Sequence, residues 1–246
     1  MLPTGFLPGV SMKQINKHQI ATGIALAFHI SGLIAIGIFK SQLFINLTPL
    51  NLLVCAGLIL YTQQSINLAF LVFCAASFAL GFGAEWIGIH TGLLFGDYSY
   101  GEVLGPKWQQ VPWMIGVQWL VTMYCIGISM AMLHERLVRQ NLIPADGAGA
   151  PATKRFPKWW LVVSTIADGA LLAVIFDWVI EPVAIRLGFW QWKEGEVPWS
   201  NYYSWWLVSA IILTAFHFLP FRKQNLFAVH LLLIQFMFFL LLKTLL

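Results

Sequence analysis

The sequence predicts an all-α integral membrane protein, a single bundle of about seven transmembrane helices. Hydrophobic residues make up 59% of the 246 residues and charged residues only 10%, whereas soluble domains carry about 25% charged residues. The mean hydropathy is +0.76. A spanning helix needs roughly 20 apolar residues, and seven stretches qualify. They lie at 19–39, 42–61, 67–92, 111–134, 158–186, 202–220 and 225–244.

The basic residues indicate the orientation of this bundle. With seven spans, nine of the 14 Lys and Arg residues fall on one side: Lys13, Lys17, Arg136, Arg139, Lys154, Arg155, Lys158, Arg222 and Lys223. Cytoplasmic loops carry the excess of Lys and Arg, so we expect a cytoplasmic N-terminus and an outer C-terminus. The expected location is the inner (cytoplasmic) cell membrane, and the net charge of +4 reflects topology rather than a nucleic-acid partner.

The connecting segments differ in composition. Residues 140–157 are rich in Gly, Ala and Pro, which is typical of a flexible linker, here on the cytoplasmic side. The outer loops 93–110 and 187–201 are rich in aromatic residues and carboxylates. We interpret most of the nearby tryptophans as an interfacial belt; they are Trp86, Trp108, Trp113, Trp190, Trp192 and Trp199.

Four acidic residues lie within the predicted spans, where a charge is costly unless it is paired or hydrated. Asp177 and Glu181 are four residues apart and share a helix face. Both lie in the outer half of their span, as does Glu85, so the three are expected to converge beneath the outer loops. The alternative is that they reach water or pair with Arg186. Asp168 faces elsewhere, and a hydrogen bond to a neighbouring helix explains it as well as catalysis does.

Several kinds of site are not indicated. There is no HExxH, histidine box or ExxH pattern, so no metal is expected. The sequence has no GxGxxG or P-loop, so no nucleotide cofactor is expected. A retinal protein needs a lysine in mid-membrane, whereas Lys243 lies at the end of the last span.

Two stretches carry a family resemblance. Residues 85–100 read E-W-I-G-I-H-T-G-L-L-F-G-D-Y-S-Y, with V-P following at 111–112. Residues 177–192 read D-W-V-I-E-P-V-A-I-R-L-G-F-W-Q-W, followed by V-P-W-S-N-Y-Y-S-W-W. Both resemble the membrane carotenoid-biosynthesis family that includes the carotenoid 1′,2′-hydratases. The resemblance covers roughly 67–245, and the first 60 residues carry little recognisable signal.

This resemblance implies hydration of the terminal C1′=C2′ double bond of a ψ-end carotenoid, such as γ-carotene or lycopene, to a tertiary alcohol. Such a reaction needs an acid, a base that activates water, and aromatic faces for the cation, but no cofactor. We expect Glu85 and Glu181 to be the acid–base pair, with Asp177 and Asp97 as supporting carboxylates. The carotenoid is expected to enter from the lipid between helices. The residues expected to contact it are Trp86, Tyr98, Tyr100, Trp178, Asn201, Tyr202 and Trp205.

Three other functions remain open at this point. A carotenoid cyclase also protonates a terminal alkene, but an internal double bond captures the cation. A non-catalytic carotenoid-binding protein would need no buried acids. A transporter would usually show inverted repeats or broken helices, and neither is found in the sequence.

Overall fold

The computed structural model describes residues 16–140 and 158–246, and within them the chain is an all-α membrane protein. The predicted linker 140–157 lies outside the described residues except for Gln140. The helices are α1 (Lys17–Gly32), α2 (Gln42–Asn46), α3 (Thr48–Thr62), α4 (Leu68–Thr91), α5 (Trp113–Arg139), α6 (Lys158–Arg186), α7 (Trp199–Phe218) and α8 (Leu226–Leu245). A π-helical turn, Leu33–Ile38, extends α1.

Five helical segments of the described chain are long and apolar enough to cross a membrane: Lys17–Ile38, Leu68–Thr91, Trp113–Arg139, Trp159–Arg186 and Leu226–Leu245. The protein is therefore multi-pass. α7 has 20 residues but is not among the five, and its first two turns are rich in Trp, Tyr and Ser. The count of seven and the orientation of the termini stay predictions.

The predicted span 42–61 is divided into two helices in the structure. α2 ends at Asn46, and α3 begins at Thr48 with a proline in its first turn, a position where proline is well tolerated. The 15 residues of α3 extend about 22 Å at 1.5 Å per residue. That is shorter than the roughly 30 Å of a hydrocarbon core.

α5 lies at the centre of the bundle, in contact with α3, α4, α6, α7 and α8. α1 and α8 run parallel. Near their starts, Thr22 Oγ1 lies 2.9 Å from His230 Nδ1, and further along, the His29 ring meets the Phe238 ring edge-on at 5.4 Å. α4 contacts α5 and α7, and α6 contacts the same two helices. The ends of these four helices that adjoin loops 93–110 and 187–201 therefore surround one volume.

Short strands in the two outer loops close this end of the bundle. β1 (Tyr98–Tyr100) pairs antiparallel with β4 (Trp190–Trp192), although the two are far apart in sequence. β2 (Lys107–Trp108) pairs with β3 (Val111–Pro112) in the first loop. A Cβ at Gly101 would lie 2.0 Å from the Gly188 carbonyl oxygen, so only glycine permits this approach of the two loops.

Candidate active site

The β1–β4 ribbon forms a lid with four aromatic side chains on its inner face. Successive residues of a strand point to opposite faces, and the outer positions Ser99 and Gln191 are exposed. The inner positions pair across the ribbon, Tyr98 with Trp192 and Tyr100 with Trp190. All four are hydrogen-bond donors, and each donates to a buried carboxylate beneath the ribbon.

Glu85 on α4 accepts hydrogen bonds from three side chains that surround this volume. The hydroxyls of Tyr98 and Tyr100 both donate to its Oε2, the latter at 2.7 Å. The indole of Trp119 on α5 donates to Oε1 at 3.0 Å. Both carboxylate oxygens are therefore occupied, and the side chain is 5% exposed.

The two tyrosines keep their protons under ordinary conditions. Both lie in the loop outside the spanning helices. Burial and the neighbouring Glu85 raise the pKa of Tyr98 and of Tyr100 above the usual tyrosine value of about 10. They therefore remain donors to Glu85 at neutral pH.

The two carboxylates of α6 have fewer partners. Glu181 accepts hydrogen bonds at Oε2 from the indoles of Trp190 and Trp192, at 3.0 and 3.1 Å, and no bond to its Oε1 is found among the described residues. Asp177 accepts a single bond at Oδ2, from Asn201 Nδ2 at 2.6 Å. Both side chains are buried. One oxygen of each carboxylate therefore has no hydrogen-bond partner among the described residues.

These carboxylates line one small cavity of about 30 Å³, which is enough for water but far too little for the end of a polyene. Its wall is otherwise aromatic. The Trp205 and Trp119 rings are stacked at 4.1 Å with an interplanar angle of 18°, and both line the cavity. The cavity therefore combines acidic groups with aromatic side chains, a class that can attract a cation.

A second, larger cavity of about 440 Å³ adjoins the small one. Its walls are mostly apolar and come from α1, α2, α3, α5, α6 and α8. Gln118 and Trp190 line both cavities. Phe28, Leu47 and Leu50 line the large cavity and are also exposed, so residues of α1 and of the α2–α3 corner border both the cavity and the protein surface.

Seven of the residues singled out in the sequence line the small cavity: Glu85, Asp177, Glu181, Tyr98, Tyr100, Asn201 and Trp205. The other four do not. Asp97 is exposed, and its Oδ2 lies 3.4 Å from Lys193 Nζ in an ion pair. Trp86 donates to Gln109, Trp178 is 55% exposed with Lys243 over its ring, and Tyr202 packs against Trp199.

Four further residues with hydrogen-bonding side chains line the small cavity without having been predicted to do so: Gln118 and Trp119, and Trp190 and Trp192, which were interpreted as part of the interfacial belt. The available signal for a ribbon with one aromatic face was the alternation in two separate triplets, Y-S-Y at 98–100 and W-Q-W at 190–192. Asp168 is exposed on the opposite side of α6 from this site. Among the described residues, no group of three His, Cys, Asp or Glu side chains has the geometry of a metal site.

Residues 47–246, four fifths of the chain, match the family described as "Carotenoid biosynthesis protein". The chain belongs to this family. Over 141 residues it is 28% identical to the bisanhydrobacterioruberin hydratase of Haloarcula japonica. That match covers 56% of the chain and 41% of the relative, so the chain spans less than half of the relative's length. No solved structure matches the chain.

The family match confirms the resemblance inferred from the two motifs, and both motifs lie within it. Every residue that lines the small cavity is also within the matched region. The large cavity differs, because α1 and α2 precede residue 47 and yet supply part of its wall.

Proposed function

We propose that this carotenoid biosynthesis protein is a hydratase that adds water across the terminal double bond of a ψ-end carotenoid by acid–base catalysis. The observation that carries the proposal is the unequal distribution of hydrogen-bond donors among three carboxylates around a water-sized cavity. The resemblance to a relative named as a hydratase supports the same reaction class.

Asp177 is the proton donor in this mechanism. Three carboxylates in one cavity cannot all be ionised, because like charges at short range disfavour one another. Glu85 accepts three hydrogen bonds and Glu181 two, which favours their ionised forms. Asp177 accepts one, so it holds the proton, on the oxygen that Asn201 leaves free.

The carbon chemistry begins with the alkene. Asp177 delivers its proton to the less substituted alkene carbon, and the electron pair of the double bond forms the new C–H bond. The tertiary cation left behind lies against the faces of Trp119 and Trp205, where cation–π attraction stabilises it. The fixed negative charge of Glu85, held by three donors, stabilises the same cation without reorganising.

Glu181 is the base that completes hydration. A water in the small cavity attacks the cation through oxygen, and Glu181 Oε1 accepts the released proton. One turnover consumes one water and returns no net proton to solvent. The proton passes back to Asp177, one turn away on the same face of α6, and restores the starting state.

The apolar cavity is the place for the isoprenoid chain. It adjoins the small cavity at Gln118 and Trp190. The small cavity has room only for water in this arrangement, so these side chains must move aside for the end of the chain to reach Asp177. A lateral opening where Phe28 and Leu50 border both the cavity and the surface would suit a substrate that is dissolved in lipid. The remainder of a full carotenoid would extend through this opening into the bilayer.

Isotope labelling tests the reaction directly. Membranes containing the chain are incubated under argon with γ-carotene or lycopene in ¹⁸O-labelled water and in D₂O. Hydration gives a hydroxyl that carries ¹⁸O and a neighbouring CH₂ that gains one deuterium. A hydroxyl formed only with O₂ and without the label would contradict the mechanism. A deuterated product without added oxygen would instead assign the chain as a cyclase.

A further inference from the structure

The wall of the large cavity contains polar side chains that an unsubstituted polyene cannot satisfy. Gln235 on α8 lines this cavity, is 6% exposed, and its Oε1 has no hydrogen-bond partner among the described residues. Its amide nitrogen is likewise absent from every side-chain hydrogen bond of those residues. A buried acceptor without a partner is costly, unless a bound group donates to it.

His29 on α1 offers an acceptor in the wall of the same cavity. Its Nδ1 lies 2.8 Å from the Ala25 carbonyl oxygen, and a carbonyl can only accept, so Nδ1 carries the hydrogen. In the neutral ring Nε2 is then an acceptor. The His29 ring contacts Phe238 edge-on, one turn from Gln235 on α8, and both His29 and Gln235 line the cavity.

The chemistry of the two side chains together selects the ligand. A hydroxyl both donates and accepts, so it can donate to His29 Nε2 or Gln235 Oε1 while it accepts from Gln235 Nε2. A carbonyl group can only accept, and a hydrocarbon can do neither. We propose that the large cavity binds an isoprenoid alcohol, with its hydroxyl between Gln235 and His29 and its chain against the apolar wall.

This inference goes beyond the proposed hydration, since an unsubstituted ψ-end needs no polar partner in this cavity. The ligand, whether it is the substrate of that reaction or another molecule, carries a hydroxyl on the segment that lies in the large cavity. Water is the competing source of an O–H group. The two explanations differ in a measurable way. If a bound water satisfied Gln235 and His29, the protein would bind an alcohol and the matching hydrocarbon equally well.

The test is a binding measurement without turnover, so its outcome is separate from that of the isotope experiment. The purified full chain in lipid nanodiscs is titrated with all-trans-retinol and with the matching hydrocarbon that lacks the hydroxyl. Energy transfer from tryptophan, including Trp190 in the cavity wall, reports binding. The wild-type protein is expected to bind the alcohol about fivefold more tightly or better, the effect of one neutral hydrogen bond.

Variants identify the residues responsible for the preference for the alcohol over the hydrocarbon. Gln235→Leu should lower affinity for the alcohol to that for the hydrocarbon and leave hydrocarbon binding unchanged. Gln42→Leu makes the same chemical change at an exposed site and should keep the selectivity. If Gln235→Leu fails to fold, His29→Phe tests the second partner. Equal affinity of the wild-type protein for both ligands, or full selectivity in both cavity variants, would overturn the proposal.

Discussion

Three carboxylates of similar burial have different surroundings in this protein. Glu85 has every oxygen occupied, Glu181 has one oxygen free, and Asp177 has a single amide partner. The sequence predicts Glu85 and Glu181 as the acid–base pair, and that assignment stays a prediction. On the basis of the hydrogen bonds we propose instead Asp177 as the acid, Glu181 as the base and Glu85 as a fixed charge.

Asparagine at position 177 should stop the reaction before the cation forms. Asp177→Asn removes the proton but retains an oxygen that can accept from Asn201, so folding is preserved. We expect turnover to fall by about 10²–10⁴-fold, the usual contribution of a general acid. Recovered substrate should contain no deuterium after incubation in D₂O.

Glu181→Gln separates the two steps. With the acid intact and the base absent, the alkene can still be protonated and can revert, so recovered substrate should gain deuterium while alcohol formation is lost. Glu194→Gln, an exposed change in the outer loop, is the matched control. Exchange that survives in Asp177→Asn and is lost in Glu181→Gln would reverse the two assignments.

The residues that could be predicted and those that could not differ for a physical reason. An acidic residue within an apolar stretch is costly, so Glu85, Asp177 and Glu181 are conspicuous in the sequence. A tryptophan near a membrane interface is ordinary. Nothing local distinguishes Trp190, which donates to Glu181, from Trp199, which is 76% exposed.

At the level of elements, the helices were largely predictable and the ribbon was not. Long apolar stretches specify α4, α5, α6 and α8 within a few residues of the expected ends. β1 and β4 have three residues each and lie about 90 positions apart, so neither forms without the other. Their pairing depends on the bundle that brings the two loops together.

Two glycines of α4 give a matched pair for testing how the helices hold the site. A Cβ at Gly81 would lie 2.2 Å from Trp119 Cγ, so Gly81→Ala must displace the indole that donates to Glu85. We expect a loss of about 1–3 kcal/mol of stability, as for overpacking elsewhere, and a lower turnover.

Gly83→Ala is the control on the same helix, because nothing lies within 4 Å of its added Cβ. Alanine is the better helix former by up to about 1 kcal/mol, so this variant should be as stable as the wild-type protein or slightly more. Thermal unfolding in detergent and the rate of alcohol formation measure both variants. Similar behaviour of the two would show that the α4–α5 contact does not position Glu85.

At the scale of the whole molecule, two cavities of different character adjoin. The small acidic cavity lies wholly within the region that matches the family, whereas part of the apolar wall comes from residues before position 47. The N-terminal helices carried no recognisable motif because most of what they contribute to the cavity wall is apolar side chains, which membrane helices have everywhere, and the single His29 is not conspicuous in the sequence. Their contribution is visible only in the folded arrangement.

The division of basic residues, nine against five, predicts the orientation of the whole bundle. Reporter fusions after residue 150 should therefore report the cytoplasm, and fusions near 104 and 195 the outside. A further pair at 41 and 64 tests α3, which is short for a full crossing; opposite sides indicate a span. Because the ribbon and the carboxylates lie at the end marked by residues 104 and 195, these fusions also decide from which side water reaches the small cavity. Cytoplasmic signals at both of those positions would invert the bundle and place the acids in its cytoplasmic half.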